Sequence, residues 1–182
     1  MPAATVESRS NLNREARRAR RVVKVCTINR TPEELFEFWR NLENLPRFSN
    51  HLLSVRNISD TDSHWVVKSP AGTTSEWDAE ITAEHANHFI AWHSKKGSEI
   101  DNAGSIRLEP APGGQGTEVR VILDYVPPIG KLGVFLATLY GEEPELQVEE
   151  DLGRFKALME TGEIPTTEGQ PAGAAQRKRR RK

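Results

Sequence analysis

Cysteine occurs once in the 182 residues, at Cys26, so no intrachain disulfide can form and no zinc site can be built on cysteine pairs. A reducing compartment suits such a chain. Apolar runs are short as well: none approaches the roughly 18 residues of a membrane-spanning helix, and the first residues carry no apolar stretch of the signal-peptide kind. A soluble, cytoplasmic protein is expected. Recurring catalytic motifs are also missing. There is no Gly-x-Ser-x-Gly, no His-Glu-x-x-His and no glycine-rich phosphate loop. No cofactor and no metal are expected, and no confident catalytic set emerges. His85 and His88 do form His-x-x-His, but in a stretch read as a turn, where side-chain directions are not fixed as on a helix. An exposed polar turn is the favoured reading there. His93 should point to the outer face of its strand, His51 and His64 flank other strands, and no carboxylate partner is evident for any of them. Cys26, in "VVKVCTIN", is expected to be buried and inert.

Net charge is nearly absent too, at −1, but the balance hides a separation. Residues 1–21 hold six Arg against two Glu, and residues 163–182 hold six Lys or Arg against two Glu. Each end is therefore +4, and residues 22–162 carry −9. The expected organisation is a basic disordered arm over 1–21, one folded domain over 22–165, and a disordered basic tail over 166–182. In that tail Arg177, Lys178, Arg179, Arg180, Arg181 and Lys182 suit nucleic acid, an anionic membrane or an acidic protein. No aromatic residue interleaves with them, so stacking on exposed bases has no support. A solvated tail, or one folded back on the acidic body, is the plainer reading.

What is present is patterned. "VVKVCTIN" (22–29) alternates as a β-branched strand. "RTPEELFEFW" follows, with Thr31 as N-cap, Pro32 in the first turn and Glu34 placed to close a capping box; Leu35, Phe36, Phe38, Trp39 and Leu42 then recur at helical spacing. From residue 52 to 126 six short strands succeed one another, separated by polar or Gly/Pro-bearing turns such as "APGGQG" (111–116). Strands in succession without helices between them mean an antiparallel meander. A helical period returns in "KLGVFLATLYG" (131–141) and in residues 143–162, where Val148, Leu152, Phe155 and Met159 share a face and Gly162 ends the run. The expected class is α+β: a seven-stranded curved antiparallel sheet wrapped around a long C-terminal helix, with short helices after the first strand. Such an arrangement tends to leave a cavity between sheet and helix.

This element order, the "EWDAEI…IAWHS…G" strand pair and the "DLGRFKALMETGEIP" ending resemble the polyketide cyclase/dehydrase family of the START-like, helix-grip superfamily, which also includes coenzyme-Q-binding proteins. The resemblance covers residues 22–165 and implies a central cavity for lipids, quinones or polyketides. Some members are aromatase/cyclases, and the fold alone does not choose among these.

Within that frame Trp77 and Trp92 are expected opposite each other, or nearly so, on adjacent strands about a centre at Glu84–His85. Alternation puts Trp77, Ala79 and Ile81 on the helix-facing side, and Glu76, Asp78 and Glu80 on the other. Two readings stay open. The rings pack on Leu152 and Phe155 as core, or they wall a ligand cavity with indole N–H groups available to a polar atom. Val121, Leu123 and Tyr125 alternate inward from the last strand, with Tyr125 the one weak catalytic candidate. Trp39, Phe48 and Phe135 come from helical parts that should cap the opening. Binding of a hydrophobic small molecule leads. Cyclase action on a polyketide-like substrate, and interaction with nucleic acid or an acidic partner through the basic ends, are the alternatives.

Overall fold

The structure, a computed structural model, describes residues 20–68, 73–98, 100–125 and 144–164. The arm up to residue 19, the segment 131–141 with Phe135, and the tail with Arg177–Lys182 lie outside the described residues. In chain order the elements are β1 (Arg20–Ile28), α1 (Pro32–Arg40), a 3-10 helix (Leu42–Arg47), β2 (Leu52–Asn57), β3 (Asp62–Lys68), β4 (Thr74–His85), β5 (Phe89–Ser94), β6 (Asn102–Pro110), β7 (Thr117–Tyr125) and α2 (Pro144–Thr161). The strands form one seven-stranded antiparallel sheet in the order β1-β7-β6-β5-β4-β3-β2. This is the helix-grip arrangement, with the curved sheet wrapped around α2.

Local chemistry fixes the ends of the elements. Thr31 caps α1: its hydroxyl accepts from Glu34 N at 3.3 Å, and the Glu34 carboxylate accepts from Thr31 N at 2.9 Å. Such a box contributes about 1 kcal/mol. Asn41 caps the 3-10 helix that follows, its side chain accepting from Glu43 N, and Pro46 lies inside that helix. Alternation holds along the strands. Ser63, Trp65 and Val67 on β3, Ile90, Trp92 and Ser94 on β5, and Thr117, Val119, Val121 and Tyr125 on β7 are buried.

The register corrects one expectation. Trp77 and Trp92 do not face each other: Trp77 pairs with Trp65 on β3, and Trp92 pairs with Ile81. Asn87 takes φ 61°, the left-handed conformation that asparagine tolerates, and the reversal tightens onto Ala86–His88. β4 therefore runs to His85, with an irregularity between Ile81 and Ala83, and the pairing slides away from the centre expected at Glu84–His85.

Helix α2 buries Leu152, Phe155 and Leu158. Phe155 meets Trp39, Phe48 and Phe38 at ring-centroid distances of 5.2, 5.0 and 5.5 Å, which joins α1, the 3-10 helix and α2 in one aromatic cluster. Polar ties fasten the same helix. Lys24 on β1 meets Glu149 at 2.8 Å, Asn29 N donates to Glu160 at 2.7 Å, and Lys156 donates to the Thr27 carbonyl.

Gly104 sets how closely the sheet can hold an indole. It is the cross-strand partner of Trp92, and a Cβ at residue 104 would stand 2.3 Å from Trp92 Cζ2. The ring occupies the space a side chain would take. Gly104→Ala is therefore expected to displace the indole and to cost about 1–3 kcal/mol, as overpacking does. A urea midpoint unchanged from wild type would show that the ring does not depend on this gap.

Candidate functional site

Between the sheet and α2 lies a cavity of about 120 Å³. All seven strands but β1 reach it, as do α1 and the 3-10 helix. Four tryptophans line it, each from a different element: Trp39 from α1, Trp65 from β3, Trp77 from β4 and Trp92 from β5. Trp65 stacks on Trp77 at 5.7 Å and 24°, and on Trp92 at 6.4 Å and 19°. The three sheet indoles thus form a layered wall. Leu45, Phe48, Leu52 and Val67 continue the apolar lining on one side, and Val121, Leu123, Val148 and Leu152 on the other.

One end is polar. Ser49, His51, Gln147 and Asp151 line it, brought together where the chain leaves the 3-10 helix and passes under α2. The Ser49 hydroxyl donates to Asp151 at 2.8 Å, Arg154 forms an ion pair with the other Asp151 oxygen, and Arg154 Nε donates to the Phe48 carbonyl at 2.8 Å. Burial pushes the Asp151 carboxyl above its ordinary range, although Ser49 and Arg154 pull it down. Burial likewise lowers the His51 imidazole, although the Asp151 charge opposes this. A carboxyl group and an imidazole with shifted proton affinities thus stand together at the polar end of an apolar space.

Among the described residues, three buried polar atoms on lining residues have no hydrogen-bond partner: Trp39 Nε1, Trp77 Nε1 and Asn102 Oδ1. Trp65 differs, since its indole N–H donates to Ser63 Oγ at 2.8 Å. Each orphaned group costs about 1–3 kcal/mol.

Of the residues singled out in sequence, Trp39, Trp77, Trp92, Val121, Leu123 and Leu152 line the cavity. Phe155 is fully buried behind it in the aromatic cluster. Ile81 is partly buried beside Trp92 and does not line the space, because the register places it across from that ring and not across from the opening. Tyr125 is buried at the end of β7 opposite Asn102, a lining residue, and is not itself among the residues that line the cavity. Sequence reading missed Trp65, although it lies as far before Ala71 as Trp77 lies after it, the symmetry of a hairpin pair. It also found no carboxylate for the histidines. In the structure His64 Nδ1 lies 2.8 Å from Asp78, and His93 Nε2 lies 3.3 Å from Glu80, both on the outer face and supplied by neighbouring strands. Cys26 is half-buried, not fully buried, and burial pushes its thiol up to about 11, so it is protonated at neutral pH. Among the described residues no group of three His, Cys, Asp or Glu could hold a metal ion, and no helix is long and apolar enough to cross a membrane.

The chain belongs to the polyketide cyclase/dehydrase and lipid transport family, whose model matches residues 28–152. A 17.2 kDa protein of Streptomyces lincolnensis is 30% identical over 124 residues, 67% of this chain and 77% of that one. A crystal structure from Deinococcus radiodurans is 38% identical, covers 79% of this chain and 100% of its own, and superposes with a TM-score of 0.65. An aromatase/cyclase from Streptomyces sp. R1128 covers 81% of this chain and 100% of its own, with a TM-score of 0.61 at 12% identity, a likeness of fold.

The His51 environment gives a prediction for this family member. An imidazole held below its usual 6.5 binds its proton less readily in the folded than in the unfolded chain. Stability should thus be full above that value and fall as pH drops through the window beneath it. In His51→Gln the decline should be shallower, read as urea midpoints between neutral pH and mildly acid pH. Parallel profiles for the two proteins would sink the assignment.

Proposed function

We propose that the protein binds a hydrophobic small molecule, of the lipid, quinone or polyketide-like kind, in the cavity between the sheet and α2. The observation that carries this is the convergence of four tryptophans from four elements on open space. A packed interior closes over its aromatic rings. Here the rings border a volume that α2, α1 and the sheet leave unfilled, and that volume is lined by apolar side chains except at its polar end and at Asn102. The family's lipid-transport description points the same way. Trp39, Trp65, Trp77 and Trp92 would supply the walls, with Val121, Leu123 and Leu152 completing them.

A second reading is supported by one specific feature. His51 and Asp151 at the polar end could serve as base and acid for an aromatase/cyclase, the activity named for the Streptomyces sp. R1128 neighbour. In that case cavity shape folds the substrate and the pair moves the proton. Contact with nucleic acid, an acidic partner or a membrane through Arg177–Lys182 rests on residues outside the described ones, and the family likeness lends it nothing.

Native mass spectrometry of freshly purified protein, followed by solvent extraction, tests the binding reading. A stoichiometric apolar molecule is the expected result. A protein that arrives empty and takes up no quinone, fatty acid or aromatic compound would overturn it. His51→Gln and Asp151→Asn should leave such binding within about threefold of wild type, because neither removes an apolar wall.

A further inference from the structure

The sheet ends at β1 on one side, and the register says which way the backbone of that edge faces. Ala111 N donates to Gly116 O at 2.9 Å, so the peptide groups of the even-numbered β7 residues turn toward β6. Those of the odd-numbered residues turn toward β1, where they meet Val22, Lys24, Cys26 and Ile28. The N–H and C=O groups of Arg21, Val23, Val25 and Thr27 therefore point off the sheet. Helix α2 covers one end of this row: Lys156 donates to the Thr27 carbonyl, and Glu160 accepts from Asn29 N. At Val23 and Val25 nothing among the described residues does so. Their side chains are bare as well, at 43% and 45% exposure on the outer face. β1 carries neither a proline nor a bulge, two common devices against edge pairing, and the inward-pointing Lys24 is neutralised by Glu149 at 2.8 Å.

We propose that this edge pairs antiparallel with β1 of a second copy of the chain, joining two seven-stranded sheets into one. Pairing, charge and space agree on that occupant. Hydrogen bonding sets odd-numbered residues against odd-numbered ones. With Val23 opposite the partner's Val25, all four valines pair with valines, the kind of cross-strand contact that stabilises a sheet. Sliding by two residues either way sets Arg21 or Thr27 against a valine. Ile122, beside Val23 on β7, continues the apolar row across the seam.

Charge permits the approach. Residues 22–162 carry −9, which keeps copies apart over most of the surface. Along this edge, however, the charges are matched within each copy: Arg21 with Asp124, Lys24 with Glu149, and Lys156 with Glu160. The same register brings Lys24 next to the partner's Lys24 on the helix-facing side. Each lysine arrives with its own Glu149, so two ammonium groups meet among two carboxylates.

Space is provided between the edge and α2, where Cys26, Glu149, Leu152 and Gly153 border a recess. A Cβ at residue 153 would meet nothing within 4 Å, so the recess stays open to the inward side chains of an added strand. Leu152 borders both this recess and the tryptophan cavity, which sets the seam against the helix that closes the binding site.

Sedimentation equilibrium of the full chain, with Val25→Pro and Val23→Lys beside it, tests the proposal. Proline removes the outward N–H of residue 25 and leaves the bonds to β7 intact. The wild type should form a reversible dimer whose dissociation constant rises at least about tenfold in each variant. Hydrogen exchange at the Val23 and Val25 amides should slow as wild-type concentration rises. A wild type that stays monomeric up to about 1 mM would overturn the proposal. Slow exchange that ignores concentration would place another part of the same chain on the edge and overturn the second copy as occupant. A dimer equally tight in both variants would overturn the assignment to β1. The wild-type measurements decide the question even if a variant does not fold.

Discussion

The contact between Trp92 and Gly104 is the constraint on which the interior depends. An indole lying flat over a neighbouring strand needs a partner without a Cβ, and the 2.3 Å approach leaves no allowance for one. With Trp92 in place, Trp65 stacks on it and Trp77 stacks on Trp65. That layered wall and Val148 and Leu152 of α2 border the same unfilled space. The stacked indoles are thus both packed on one another and exposed to the cavity on one side.

The opposite side is built by a different chemistry. Phe155 sits at the centre of Phe38, Trp39 and Phe48, so α2 is seated by aromatic contacts toward its C-terminal half. Just before it in sequence, Asp151 and Arg154 reach the chain at Phe48 and Ser49 through hydrogen bonds and an ion pair. An apolar anchor and a polar one, one helical turn apart, fix both the position and the rotation of the helix. That rotation decides which of its residues look into the cavity.

The sequence made the skeleton legible because local chemistry governs it. Thr31 and Glu34 mark the start of α1, alternation separates Trp77 and Ala79 from Glu76 and Asp78, and the spacing of Leu152 and Phe155 marks the buried face of α2. Half of the candidate walls could be read from the same alternation. The remainder depends on register and on meetings between distant segments. Trp92 faces Ile81 because Asn87 allows a tight reversal, a backbone detail that no periodicity reports. His51 and Asp151 line the same end of the cavity only once α2 lies across the exit of the 3-10 helix, a hundred residues along the chain. Asn102 carries no pattern in sequence that marks it as a lining residue, and only the fold brings it to the cavity.

Strand order also carries a kinetic consequence. Five of the six pairings in the sheet join strands adjacent in sequence, while β1 pairs with β7. Even at the near end, Ile28 opposite Thr117, that pairing closes a loop of about ninety residues. The meander from β2 to β7 can assemble from short-range contacts, each turn preparing the next. The first strand and the last helix must wait, because β7 has to exist before β1 can dock, and the ties from Lys24, Asn29 and Thr27 to α2 need both. Chain closure therefore carries the largest loop-entropy cost of the fold, and the contacts that offset it join the first strand of the domain to its last helix.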